Sequence, residues 1–317
     1  MKQVFLGGCE RSGTTLLASM LGVHRACLTV PESQFKIEAL LPHGQPQNDA
    51  DLRAAAERII KSWRFGAWEL SLHADSVPWE QIGGSYCKLL EWFVTQYGAH
   101  VGKKDFDLWV DHTPENVKYL QTLFELFPDA KGIHIVRDGR AVSASVLPLD
   151  WGPNTIMQSA YDWSQKVLFG IAAESVFGKE RIYHVRYEAL VHEPENVLKE
   201  LCDWLDIDYD PLMLRNDGYL KPRYYNYKAH TLIGKKPDTM RARAWEEKLS
   251  PRQIELFESQ TGDLLRNLGY ELKYGLKARK VGGKEIVNSM VAELIREFVN
   301  RIRGNYRIHR TVRKNQP

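Results

Sequence analysis

Five short apolar runs, each bounded by turn or polar motif residues, constrain this chain most: Val4 to Gly8, Cys27 to Val30, Leu108 to Asp111, Gly132 to Val136 and Arg181 to Val185. Each is too short for a helix by itself, and several are rich in valine and isoleucine, which predicts buried strands. Helical patterns lie between them: Thr14 to Leu21 directly after the first run, Val117 to Phe127 before the fourth, Met157 to Phe177 before the fifth and Asn196 to Leu205 after it. Strands alternating with helices predict an α/β fold whose parallel sheet is covered on both faces. Ligands of such sheets bind beyond the carboxyl ends of the strands, and here the polar motifs follow the first four strands. A chain of 317 residues, 44% hydrophobic and 26% charged, has core enough for one large α/β domain or two small ones.

Other bulk features mainly exclude. A net charge of +3 gives no reason to expect nucleic acid. Cys9, Cys27, Cys87 and Cys202 lie far apart, without the close spacing of a zinc site or the density of a disulfide scaffold, and read as reduced thiols. Met1 leads directly into the first strand without a leader-like apolar segment, and no apolar stretch is long enough to span a bilayer, so a cytoplasmic location is expected. Pro42 to Asp51 reads as a loop; Lys221 to Arg243, with its basic and aromatic residues, reads as a long irregular one.

The strongest local signal is Gly7-Gly8-Cys9-Glu10-Arg11-Ser12-Gly13-Thr14-Thr15, between a strand and a helix. Gly8 and Gly13 bracket four residues, a spacing that wraps backbone N–H groups around a phosphate, and the helix N-terminus adds donors and a positive dipole end. Ser12, Thr14 and Thr15 supply hydroxyls, and Thr14 and Thr15 are also candidate helix caps. A loop for ATP or GTP ends in Gly-Lys-Ser/Thr, with the hydroxyl on magnesium; here Thr14 follows Gly13 and the cation comes earlier, at Arg11. That arrangement suits a donor needing no metal. A kinase using ATP and magnesium is the first rival reading.

The run Glu10 to Leu17 resembles the 5′-phosphosulfate loop of sulfotransferases that use 3′-phosphoadenosine-5′-phosphosulfate (PAPS). Tyrosylprotein sulfotransferases and many bacterial members carry a close version, usually with proline where Glu10 stands. The resemblance implies that Arg11 stabilises charge on the bridging oxygen as sulfate departs. A second element, Ile133 to Ser145, is a strand ending in Arg137-Asp138-Gly139-Arg140 and passing into a helix. Arg137 offers two parallel donors to a phosphate and Ser145 a hydroxyl two turns on; the pair is similar to the family's 3′-phosphate element. A donor phosphorylated at 3′ and 5′ needs two anion sites, and the chain has two candidates. Asp111 to Asn116, Leu126 to Lys131, and Val185 to Leu190 with Pro194 extend the resemblance over about Val4 to Gly269. It implies a P-loop NTPase-like three-layer fold with a central parallel sheet and a catalytic domain over 1–276; residues 277–317 read from their own pattern as a basic amphipathic extension.

For the proton-accepting role the candidates are Glu32 and His112. Counted from Arg11, Glu32 matches the family's catalytic glutamate; the structural alternative is that it caps a helix beginning near Ser33. His112 occupies a position where many relatives carry lysine; it is a hydrogen-bond donor, an alternative base or a structural residue. Tyr187 is placed to contact the nucleotide or to pack in the core, and Lys236, Arg241 and Arg243 belong to a late loop similar to the one that closes over the nucleotide in the family. The expected reaction is O-sulfation of a carbohydrate, lipid-linked glycan or peptide tyrosine, releasing adenosine 3′,5′-bisphosphate; a non-catalytic module binding PAPS or its product is the second rival. The extension carries Val287, Met290, Val291, Leu294, Phe298 and Ile302 on one helical face amid Arg296, Arg301 and Arg303. It reads either as a helix docked on the domain or as a contact with an anionic membrane surface or an acidic acceptor.

Overall fold

A computed structural model of the protein describes residues 1–41, 44–149, 151–218 and 239–314, with backbone alone from 301 onward. All five expected strands form: β1 (Lys2–Gly8), β2 (Cys27–Val30), β3 (Leu108–Asp111), β4 (Lys131–Val136) and β5 (Ile182–Arg186). They make one parallel sheet in the order β2-β3-β1-β4-β5. The principal helices are α1 (Thr14–Leu21), α2 (Asp49–Lys61), α3 (Tyr86–His100), α4 (Gly139–Val146), α5 (Ile156–Phe177), α6 (Pro194–Leu205), α7 (Pro251–Asn267) and α8 (Gly283–Lys314).

Alternation along β1 sorts its side chains between two layers. Val4 and Leu6 pack with Leu17 and Leu21 of α1 and Leu198 and Leu201 of α6. Phe5 packs on the other face, where the Trp109 and Phe127 rings lie 5.7 Å away, within a core shared with α2 and α3. A further core joins α4, α5 and α7 through Val142, Trp163 and Phe257. None of the helices, among the described residues, is long and apolar enough to cross a membrane.

Three local expectations change. The stretch from Val117 to Phe127 is not one helix but a 3₁₀ turn over Pro114–Lys118 followed by a helix over Leu120–Leu126. Asn116 holds that turn against the sheet: its Nδ2 donates to the Leu6 and Asp111 carbonyls at 3.2 and 3.1 Å. Part of the expected loop before Asp51 is helical, because the Asn48 side chain accepts from Asp51 N at 2.9 Å and starts α2 at Asp49. The irregular segment lies mostly outside the described residues; its final part forms a 3₁₀ turn over Thr239–Ala242.

A buried charge network ties α7 to the second motif. Arg140, 2% exposed, donates to Glu258 at 2.6 Å and Asp138 at 2.7 Å and lies 3.9 Å over the Trp245 ring. Removing one member of a buried pair strands the other without water. Arg140→Ala should therefore cost about 3–5 kcal/mol in urea unfolding; a loss below about 1 kcal/mol would show that solvent replaces the guanidinium.

Candidate active site

The centre of the sheet builds the site. β1 lies between β3 and β4, so the loop after β1 meets the turn after β3 and the start of α4. Gly7 and Gly8 allow that approach: an added Cβ would come 2.4 Å from Val117 N at Gly7 and 2.3 Å from the Ile135 carbonyl at Gly8. Gly13 adopts φ +102°, and a Cβ there would strike the Tyr187 ring at 2.5 Å. Gly13, rather than Thr14 or Thr15, occupies the cap position of α1, and no side-chain cap bond forms. A left-handed cap turns the chain so that Thr14 is already inside the helix. Ser12 is 1% exposed, and its Oγ has no hydrogen-bond partner among the described residues.

Arg11 also has positive φ, +67°, where a side chain is strained. Its Nε donates to Ser145 Oγ at 3.1 Å, joining the two anion elements identified in sequence. Arg137 spans them as well: Nη1 donates to the Arg11 carbonyl and Nη2 to the Arg241 carbonyl, both at 2.8 Å, while its guanidinium lies 4.3 Å over the Tyr187 ring. The Nε of Arg137 is buried without a partner among the described residues. Burial, then repulsion from Arg137 and Arg241, lowers the proton affinity of Arg11. Three guanidinium groups drawn together beside an unsatisfied hydroxyl form a site for a polyanion.

Arg11, Ser12, Gly13, Arg137, Ser145, Tyr187 and Arg241 thus come together, and Thr14 and Thr15 open the adjoining helix. Arg243 is not part of this cluster; its side chain is 79% exposed and pairs with Glu246 at 2.7 Å. Lys236 lies outside the described residues.

Glu32 does not cap a helix: the short helix that follows begins at Phe35 with Gln34 at the cap position. Its side chain is 18% exposed, 4.0 Å from Arg64. Burial raises its pKa to about 7; Arg64 opposes the rise, and Glu10 and Asp111 add to it. A carboxyl tuned there is half ionised near neutrality, the poise a general base needs. His112 is 1% exposed, and burial lowers its ring to about 4 despite Asp111 and a hydrogen bond with the Val30 backbone. Its imidazole is uncharged at neutral pH.

Beneath these residues lies a polar base that was not recognised in sequence. Asp111, fully buried, pairs with Lys36 at 3.0 Å and accepts from Ser33 and from Thr113, whose N and Oγ1 lie at 2.9 and 2.6 Å. Burial works against this carboxylate, but Lys36 and the two hydroxyls outweigh it and hold it near 2. The network fixes the β3 turn against the Glu32 segment. Lys166 of α5, 8% exposed on its side chain, pairs with Glu10 and, at 2.9 Å, with Glu115. It locks the first loop to the same turn through the residue that replaces the customary proline. A lysine one position before Val167 on the buried face of α5, and one between Phe35 and Ile37, were the available signals: buried ammonium groups demand carboxylate partners. Cys9 within the loop is buried, and burial with Glu10 beside it drives its thiol well above the ordinary range, so it is inert.

The chain is similar to several known proteins. Protein-tyrosine sulfotransferase A of Caenorhabditis elegans is 26% identical over 219 residues, 68% of this chain and 52% of that protein. Nodulation protein NoeE of Sinorhizobium fredii is 26% identical over 293 residues, 84% of this chain and 65% of that protein. The chain thus spans only about half to two thirds of these relatives' lengths. Among solved structures, the sulfotransferase domain from the curacin biosynthetic pathway superposes with TM-score 0.56 at 21% identity, covering 86% of this chain and 99% of that one. The sulfotransferase domain of the Synechococcus PCC 7002 olefin synthase gives 0.57 at 22% identity, covering 86% and 95%. These likenesses bear on the fold. The profile of the sulfotransferase family matches residues 3–211, a span that includes the first loop, Glu32, the β3 turn, Arg137, Ser145 and Tyr187, and the chain belongs to that family.

Proposed function

We propose that the protein is an O-sulfotransferase that takes its sulfuryl group from PAPS and releases adenosine 3′,5′-bisphosphate. The convergence of Arg11, Arg137 and Arg241 around the first loop carries this reading, because a donor with phosphates at both ends of its ribose needs cations from both motifs. In the proposed step Glu32 accepts the proton of the acceptor hydroxyl. The freed oxygen attacks sulfur in line, and the bond from sulfur to the 5′-phosphate oxygen breaks toward Arg11. Ser145 orients Arg11 through its Nε, and Arg137 with Tyr187 holds the 3′-phosphate end. His112, neutral and enclosed, acts in this reading as a fixed polar neighbour rather than as the base. The reading assigns no metal: Arg11 precedes Gly13, and no Lys-Ser/Thr pair follows it.

The acceptor is a hydroxyl on a carbohydrate, a lipid-linked glycan or a peptide tyrosine; the names of the nematode and other matched tyrosine sulfotransferases favour the last. Residues 1–276 form the catalytic unit, and 277–317 an extension that meets a membrane surface from the cytoplasmic side. Four unpaired thiols accord with that compartment.

Calorimetric titration with adenosine 3′,5′-bisphosphate, beside ATP with magnesium, tests the donor. Selective binding of the bisphosphate, weakened about 10–100-fold in Arg137→Ala by loss of a charged hydrogen-bonding partner, is expected. Preference for ATP, or affinity for neither, would overturn the assignment.

A further inference from the structure

Helix α8 is fastened to the domain by a polar edge and turns its apolar face outward. Glu293 accepts from Asn154 N and Thr155 N at 3.0 and 2.6 Å and from Asn154 Nδ2 at 2.9 Å. Ser289 donates to Thr155 Oγ1 at 2.7 Å, Arg296 to the Leu149 carbonyl at 2.6 Å, and Glu285 pairs with Arg252 at 2.7 Å. Positions 285, 289, 293 and 296 follow helical spacing along one edge. On the other side Val287, Met290, Leu294 and Phe298 are 58–68% exposed, and Leu276 ahead of the helix is 94% exposed. An amphipathic helix normally buries its apolar stripe against its own domain. Here the docking is reversed, leaving a contiguous apolar band in water.

Charge identifies what covers it. Between Glu271 and Glu285 the chain carries Lys273, Lys277, Arg279, Lys280 and Lys284 and no acid. After Glu297 come Arg301, Arg303, Arg307, Arg310, Arg313 and Lys314, again without an acid. The apolar band is thus bracketed by cations at both ends. A second copy would set cationic flank against cationic flank whether the helices ran parallel or antiparallel. An anionic bilayer surface satisfies both features, taking the apolar side chains among the acyl chains and the cations among the head groups.

We infer that α8 is an interfacial anchor that seats the protein on an anionic membrane surface through Val287, Met290, Leu294 and Phe298. This deepens the membrane contact in the functional reading above, naming the face and the lipid charge. The anchored segment is next to the donor site, since Leu149 and Asn154 lie between Ser145, the partner of Arg11, and α5. The active centre is thereby held at the bilayer, within reach of a hydroxyl on a membrane-resident acceptor.

The test is co-sedimentation of the full chain with vesicles of phosphatidylcholine alone and of phosphatidylcholine mixed with phosphatidylglycerol, beside the variant Leu294→Glu/Phe298→Glu. Both substituted side chains are solvent-facing, so the fold should survive; a thermal melt checks this. The intact protein should pellet with the anionic vesicles at least about tenfold more than with neutral ones, and less as salt rises. The double variant should stay in the supernatant while binding adenosine 3′,5′-bisphosphate as the parent does. That nucleotide measurement separates failure of the anchor from failure of the donor assignment. Absence of pelleting, equal pelleting on both vesicles or by the double variant, or a dimer in solution that the double variant dissolves would each overturn the inference.

Discussion

Arg11→Gly is expected to lower kcat by about 10²–10³-fold while leaving the protein as stable as the parent or more so. The catalytic loss follows from position: in the proposed step Arg11 faces the oxygen that gains charge as the sulfuryl group leaves, and a donor pre-aligned by Ser145 at 3.1 Å needs no rearrangement then. The stability gain has two sources. Arg11 holds φ +67°, a conformation costing an L-residue about 1–2 kcal/mol and glycine almost nothing. Its guanidinium is also buried, with Arg137 and Arg241 near enough to repel it, and Tyr187 offsets this in part. Turnover of labelled PAPS, using an acceptor found by screening, and a thermal melt of the unliganded protein measure the two effects. A variant that loses activity only in proportion to lost folding would show that Arg11 serves the loop rather than the reaction.

Glu32→Gln carries the second large effect, about 10²–10⁴-fold in kcat for loss of a general base. The parent's rate should rise with pH through about 7, as the Glu32 carboxyl ionises, and the variant's residual rate should lack that limb. The same group leaves a mark on stability. The folded state binds its proton more tightly than the unfolded chain, so stability falls as pH rises from the ordinary carboxyl range to about 7, and the whole cost is present above that. Glutamine removes the cost. At about pH 8 the variant should be more stable by on the order of 2 kcal/mol, with the difference vanishing near pH 4, where both states are protonated. If instead the pH limb persists in Glu32→Gln, the base lies elsewhere.

Both effects come from one trade. In the proposed reading, cations crowd where the donor phosphates would sit, and a carboxyl is kept from water where it would take a proton. Each carries a desolvation cost in the fold, which the substrates of the proposed reaction would offset. Buried pairs nearby, Lys36 with Asp111 and Lys166 with Glu10 and Glu115, hold that arrangement rigid.

Much of this was legible in one dimension. The strands were readable because buried parallel strands are short continuous apolar runs, and β2 and β3 fall on the expected residues. The first loop and the Arg137–Ser145 element stood out because glycines, a helix start and guanidinium groups recur there at local spacings, and the structure brings the two elements into contact. Only the tertiary structure could decide which side chains share an environment. Glu32 and Arg64 are far enough apart in sequence that no spacing rule predicts their meeting, and the desolvation that raises Glu32 to about 7 belongs to the packed protein alone. Likewise the sequence marks α8 as amphipathic but not which face docks. That depended on Asn154 and Thr155 offering hydrogen-bond donors at the distance and angle that Glu293 could meet, a complementarity set by the three-dimensional placement of a loop. Periodicity and local motifs are properties of neighbours along the chain, whereas burial, charge proximity and docking direction are properties of neighbours in space.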